Sequence, residues 1–307
     1  MAPAILTTLL FSMTAVFATR AAMALGPVRA NMWRLLVAVG LLALYAHGFG
    51  HGLGGGQFLT FFLAGMVGFG AGGWCMFQAF PRIGSTLSLL VVECSAAVLT
   101  VILAWVLLGE LISFLQLFLI VLVIGGLLIA LAPFKLPIVS RKALLAGMAF
   151  AALAACGQSV SWILTKLAFV RLELAGTGID PLSAAYQRLI GGASLGVLVF
   201  LLHWASSGKG SDVGTASPAY LPFPRIRPFV WVTANALAGP VLGVSCMLWA
   251  IREVNNPGLV QAVVATATLF TVPLAKHMER RIFRPHYFIG ATASLAGVAG
   301  LVLGVQV

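Results

Sequence analysis

Charge is what this sequence has least of: 8% of its 307 residues are Asp, Glu, Lys or Arg, against roughly 25% in an ordinary soluble domain. So few ions cannot cover a water-facing surface, which excludes a soluble globular protein. Cysteine is scarce too, and all four cysteines (Cys75, Cys94, Cys156 and Cys246) fall in apolar runs. There they serve as small packing residues, and neither a disulfide framework nor a zinc spacing can be drawn. No basic segment precedes the first apolar run and no obvious cleavage site follows it, so Met1 to Thr19 reads as a first span rather than a removed signal peptide. The sequence also lacks an HExxH pair, a GxxxxGKS/T phosphate loop and a nucleophile constellation, and its glycine runs at 50–56 and 68–73 have no βαβ setting. Two histidines in one loop, His47 and His51, are too few for a metal site. The expectation is no enzyme activity, no cofactor and no metal.

What the chain does have is apolar length, with 61% hydrophobic residues and a mean hydropathy of +1.07. A helix needs about 20 apolar residues to cross roughly 30 Å of hydrocarbon, so the chain holds about ten spans and no soluble domain. The apolar runs predict helices near 3–25, 28–46, 58–80, 85–108, 112–132, 143–168, 183–203, 228–250, 258–276 and 286–306. The one sizeable polar connection, 205–228, is rich in Gly and Pro and reads as exposed loop. A net charge of +11 is also what a nucleic-acid binder carries, but here the basic residues stand singly or in twos and threes at span ends. That is the pattern of positive-inside topology, and it implies the bilayer as partner and no nucleic acid.

The two halves answer each other in order. Thr19-Arg20 matches Thr165-Lys166, Met32-Trp33-Arg34-Leu35-Leu36 matches Tyr186-Gln187-Arg188-Leu189-Ile190, Cys75-Met76 matches Cys246-Met247, and Glu110 matches Glu279. A fixed order of matches points to internal duplication. Five spans is an odd number, so the second copy enters the membrane upside down, as in the inverted repeats of many secondary transporters. The fold class expected is an all-α polytopic membrane protein of about ten transmembrane helices. The repeats are read as 1–133 and 143–307, joined by a connection at 134–142.

Among the seven acids, only Glu93 lies well inside a span. A carboxylate in hydrocarbon costs several kcal/mol unless it is protonated, paired or facing water, so Glu93 is a candidate for proton coupling and for binding a cationic group. The plainer reading is a glutamate held neutral by a neighbouring helix. Thr86, Glu93 and Thr100 share one helical face, as do Gln158, Trp162 and Thr165 on the sixth span. Asn235, Gly239, Leu242, Cys246 and Trp249 form a stripe on the eighth span, and Gln261, Ala265 and Thr268 one on the ninth. With Trp74 and Gln78 on the third, these stripes are expected to surround a solute cavity. The substrate-binding candidates are therefore Trp74, Gln78, Glu93, Gln158, Trp162, Asn235, Trp249 and Gln261. Arg34 and Arg188, near the starts of their spans, are read first as snorkelling to the headgroups and second as drawing an anionic group to the mouth. The pairs Gly68/Gly72, Gly239/Gly243 and Gly300/Gly304 are read as close helix contacts, including any dimer face.

The run Leu108-Gly109-Glu110, followed by Gln116 and a span ending Gly125-Gly126-Leu127-Leu128, resembles the end of an EamA-type repeat in the drug/metabolite transporter superfamily. The arginine early in the second span of each half, and the short turn from Phe80 to Ser85, are similar to the same pattern. The junction His277-Met278-Glu279-Arg280-Arg281 departs from it. The resemblance implies export or exchange of a small metabolite, often an amino acid or amine, without ATP hydrolysis. An intramembrane enzyme and a non-transporting scaffold are the competing readings. The protein is expected in the plasma (inner) membrane, as a monomer or homodimer. On orientation two arguments disagree: Lys and Arg crowd the side of the 1–2, 3–4, 5–6, 7–8 and 9–10 connections, which places both termini outside, whereas the resemblance implies termini inside.

Overall fold

The computed structural model describes residues 1–131, 140–206, 228–279 and 285–304. Most of the connection read at 134–142, nearly all of the loop read at 205–228, and Arg280, Arg281 and Arg284 lie outside them, as does the side chain of Glu279. Every regular element among the described residues is a helix. Pro27, Pro181, Pro228, Pro257 and Pro285 each open one. At that position a fixed φ suits the helix and a missing N–H costs nothing, because first-turn N–H groups have no intrahelical acceptor.

The first span is Ala2–Leu25, the second Pro27–Gly48, the fifth Phe114–Leu131, the sixth Arg141–Leu174, the seventh Pro181–Ser206, the eighth Pro228–Val254 and the tenth Pro285–Gly304. The ninth is made of Pro257–Ala265 and Ala267–Glu279. Between the second and fifth runs one continuous helical stretch, Phe58–Leu108, 51 residues long. At 1.5 Å per residue that is about 75 Å, twice the reach of a single span.

Packing against the sixth span shows that this stretch doubles back. Ser161 Oγ donates to the Ala64 carbonyl and a methyl on Gly147 would strike Ile83, so the sixth span runs opposite to residues 58–83. Ser159 Oγ reaches the Ala96 carbonyl and Lys166 meets Glu110, so it runs alongside residues 85–108. The reversal falls at Gly84, whose φ of 79° and ψ of 166° are open to glycine and strained for other residues. Among the described residues, nine candidate spans, one of them double, make ten. Gly109, at φ 66°, ends the fourth span in the left-handed conformation. Ser113 and Gln116 then cap the fifth reciprocally: Ser113 Oγ accepts from the Gln116 N–H and Gln116 Oε1 from the Ser113 N–H.

Among the described residues two π-helical turns interrupt the bundle, Met66–Gly72 in the third span and Leu237–Gly243 in the eighth. Each is glycine-rich, and the second contains Pro240, which lacks an N–H for the α ladder. The fifth and tenth spans pack on each other at the periphery. A methyl on Gly126 would lie 2.6 Å from the Gly290 carbonyl oxygen, and one on Gly290 2.4 Å from that of Gly126, so the backbones touch. Of the expected pair Gly300/Gly304, Gly300 abuts Leu119 but Gly304 has nothing within 4 Å. Leu44, Val121, Leu153 and Leu202 point outward, as lipid contact requires.

Candidate solute-binding site

The first four spans and the sixth, seventh and eighth line a cavity among the described residues, with about 680 Å³ of empty space counting its open part. Its walls come from both halves. Phe11 and Thr14 of the first span, Arg34 of the second and Glu93 of the fourth face Gln158, Ser161 and Trp162 of the sixth and Arg188 of the seventh. Both π turns form wall as well, through Gly68, Phe69 and Gly72 on one side and Gly239 and Pro240 on the other. A π turn widens the helix and frees backbone groups, which explains its frequent placement at functional sites.

Glu93 is 1% exposed. Gln261 Nε2 donates to its Oε2 at 2.6 Å, and Gln158 Nε2 lies 3.4 Å from both oxygens. Both amides belong to the second half of the chain, so the carboxyl group sits where the halves meet.

Of the residues expected from the sequence, Glu93, Gln158 and Trp162 line the cavity and Gln261 holds Glu93 from behind. The others are placed elsewhere. Asn235 donates from Nδ2 to the Thr14 carbonyl at 2.9 Å, tying the eighth span to the first. Trp74 packs edge-on against Phe150, and Gln78 accepts from Arg82. Trp249 is 49% exposed and faces outward, as does Leu242. Trp74, Gln78 and Trp249 follow a π turn, where one extra residue rotates all later side chains by about 100° relative to a regular helix. Gly73 and Met76 take the inward positions after the first such turn, and Val244 does so after the second.

The larger correction concerns the arginines, because neither snorkels. Arg34 is 6% exposed and Arg188 1%, and both face the cavity. Arg34 donates through Nε and Nη2 to Asn31 Oδ1, at 3.1 and 3.0 Å, with its guanidinium 4.7 Å over the Phe77 ring. Arg188 donates through Nη2 to Ser161 Oγ at 2.7 Å, between Trp162 at 4.3 Å and Phe69 at 5.3 Å. The sequence signal was an arginine early in the second and in the seventh span, but position near a span start concealed how deep these side chains reach.

One end of the bundle is tied by a ring of polar contacts. His51 Nδ1 meets Asp180 Oδ2 at 2.9 Å, Asp180 Oδ1 accepts from the Ser183 N–H, and Ser183 Oγ accepts from the His51 N–H. Gln187 donates to the carbonyls of Gly52 and Gly54. Partial burial alone would raise the Asp180 carboxyl, but the bonds from His51 and Ser183 together outweigh it and hold the group below the usual range. A depressed carboxylate stabilises the fold above its unfolded value, near 4, and loses that contribution as pH falls further. Asp180→Asn is therefore expected to speed hydrogen exchange at the His51 amide at pH 7. Wild type and variant should converge only as pH falls from about 4 through the depressed native value, and equal exchange rates at pH 7 would rule the latch out.

Residues 2–132 match the EamA-like transporter family. None of the curated proteins matches. A solved crystal structure superposes with a TM-score of 0.68 at 20% identity, over 99% of this chain and 96% of that one, a likeness of fold.

Proposed function

We propose, from the match of residues 2–132 to the EamA-like transporter family, that the chain is a member of the drug/metabolite transporter superfamily and a secondary exporter or exchanger of a small metabolite. An amino acid or amine and a plasma (inner) membrane location are the sequence-based expectations. The observation that carries the proposal is Glu93, a cavity-facing carboxyl of the first half held by two amides of the second. If the halves rock against each other, the surroundings of this group change with each stroke, which is what coupling proton movement to solute movement requires.

The proposal includes two inverted repeats. The two π turns are separated by the same number of residues as Cys75 and Cys246. Packing repeats as well: the first span meets the eighth and ninth as the sixth meets the third and fourth, and the second meets the eighth as the seventh meets the third. The sixth span runs parallel to the fourth and against the third, as an inverted second copy would.

Counterflow in proteoliposomes is the test. A carrier accelerates exchange of labelled for unlabelled solute without chemical change; a panel that never exchanges while a product accumulates would favour the intramembrane enzyme, and neither result the scaffold. Orientation is tested separately by an impermeant thiol reagent on intact cells, with single cysteines at Ser217 or on a C-terminal extension in a cysteine-free background. The basic-residue distribution predicts labelling at the C-terminus and protection at Ser217. The reverse pattern would show that termini lie inside, and labelling of both would break the count of ten.

A further inference from the structure

The cavity wall carries more positive charge than its own residues neutralise. Arg34 and Arg188 occupy matching places in the second and seventh spans, and the hydrogen-bond partners they have, Asn31 and Ser161, are neutral. Among the described residues no ion pair joins Glu93 to either arginine. Arg188 Nε and Nη1 are buried without a hydrogen-bond partner. Stacking between Trp162 and Phe69 fixes the plane of that guanidinium but leaves those N–H donors unmet. A cation with unused donors inside a membrane protein is costly unless something it binds supplies the missing acceptors.

We propose that Arg34 and Arg188 form an oxyanion clamp, and that the transported solute carries a carboxylate or phosphate group which they hold. The proposal deepens the transport reading and rests on it for the word transported. Two guanidinium groups against at most one carboxylate leave the site with a net charge of at least +1, which a simple amine would make worse and an oxyanion neutralises. The glycines beside the clamp keep its space open. A methyl on Gly73 would lie 2.8 Å from Arg34 Nη2, and one on Gly68 2.4 Å from the Ser161 oxygen that Arg188 grips. An amino acid stays compatible through its carboxylate, with Glu93 in the same cavity wall for the ammonium group, whereas an amine alone does not.

The test is a thermal-shift titration of the purified full chain with matched probes: succinate, glycerol phosphate, succinamide and propylamine. Succinate or glycerol phosphate is expected to raise the melting temperature, the larger shift naming the carboxylate or the phosphate, and the amide and amine to leave it unchanged. Arg188→Gln and Arg34→Gln should each weaken the effective probe by about tenfold to a hundredfold. Arg188→Lys keeps the charge and loses the planar fork, so it should fold like wild type yet still bind at least about tenfold more weakly. Stabilisation by propylamine in place of the oxyanions, or oxyanion stabilisation undiminished in all three variants, would overturn the clamp. Counterflow separates the two readings: an oxyanion that binds but never exchanges sinks transport and leaves the clamp, whereas exchange confined to solutes without an oxyanion does the opposite.

Discussion

Replacing Glu93 with Gln is expected to slow solute counterflow by at least about tenfold and to flatten its dependence on pH. The substitution keeps the volume of the side chain, so packing around a residue 1% exposed is preserved, and it keeps one oxygen to accept from Gln261 Nε2, while the new NH2 group can be met by Gln158 if that amide turns its oxygen inward. What disappears is the ability to carry and release a charge. Hydrogen bonds to a charged group contribute about 1.5–3 kcal/mol against roughly 0.5–1.5 for neutral ones, and a difference of about 1.4 kcal/mol is a factor of ten. The purely structural reading of Glu93 makes the contrary prediction, since a permanently neutral glutamate is well mimicked by glutamine. Rates and pH profiles that coincide between wild type and variant, in the same liposomes with the same solute, would therefore settle against proton coupling.

The second large effect is expected at a main-chain contact, at Gly65. A methyl there would stand 1.6 Å from the carbonyl oxygen of Arg188, and one on Gly191 1.9 Å from that of Phe62. The third and seventh spans thus touch backbone to backbone, a contact that lipid-embedded helices favour because hydrocarbon gives them no hydrophobic drive to associate. An added carbon cannot be absorbed by a side-chain rotation when the obstacle is main chain, so the helices must part. Overpacking of this kind costs about 1–3 kcal/mol and at times more. Gly65→Ala should melt several degrees below wild type and, by displacing Arg188, weaken oxyanion binding too. Gly125→Ala, where nothing lies within 4 Å, is the matched control. If the two variants melt together, the close approach of the third and seventh spans is wrong.

The sequence by itself determined the class of molecule and the count of its spans, because apolar length against bilayer thickness is a one-dimensional quantity that needs no knowledge of neighbours. It also singled out Glu93, since one acid among long apolar runs is conspicuous without a fold. Gln158 and Trp162 followed from helical spacing on an uninterrupted span. Only the tertiary structure decided the rest of the wall. Spacing arguments carry the regular 3.6-residue turn forward, and the π turns at Met66–Gly72 and Leu237–Gly243 break that phase, which is why Trp74, Gln78 and Trp249 were assigned to a cavity they do not face. Asn235 turned to the first span for a backbone acceptor that no local pattern reveals. For the arginines the same residue types at the same depth can reach headgroups or turn inward. The outcome depends on whether remote segments supply Ser161, Trp162, Phe69 and Phe77 to receive a guanidinium, and on glycines at 68 and 73 that leave it room, contacts that exist only once the helices have packed.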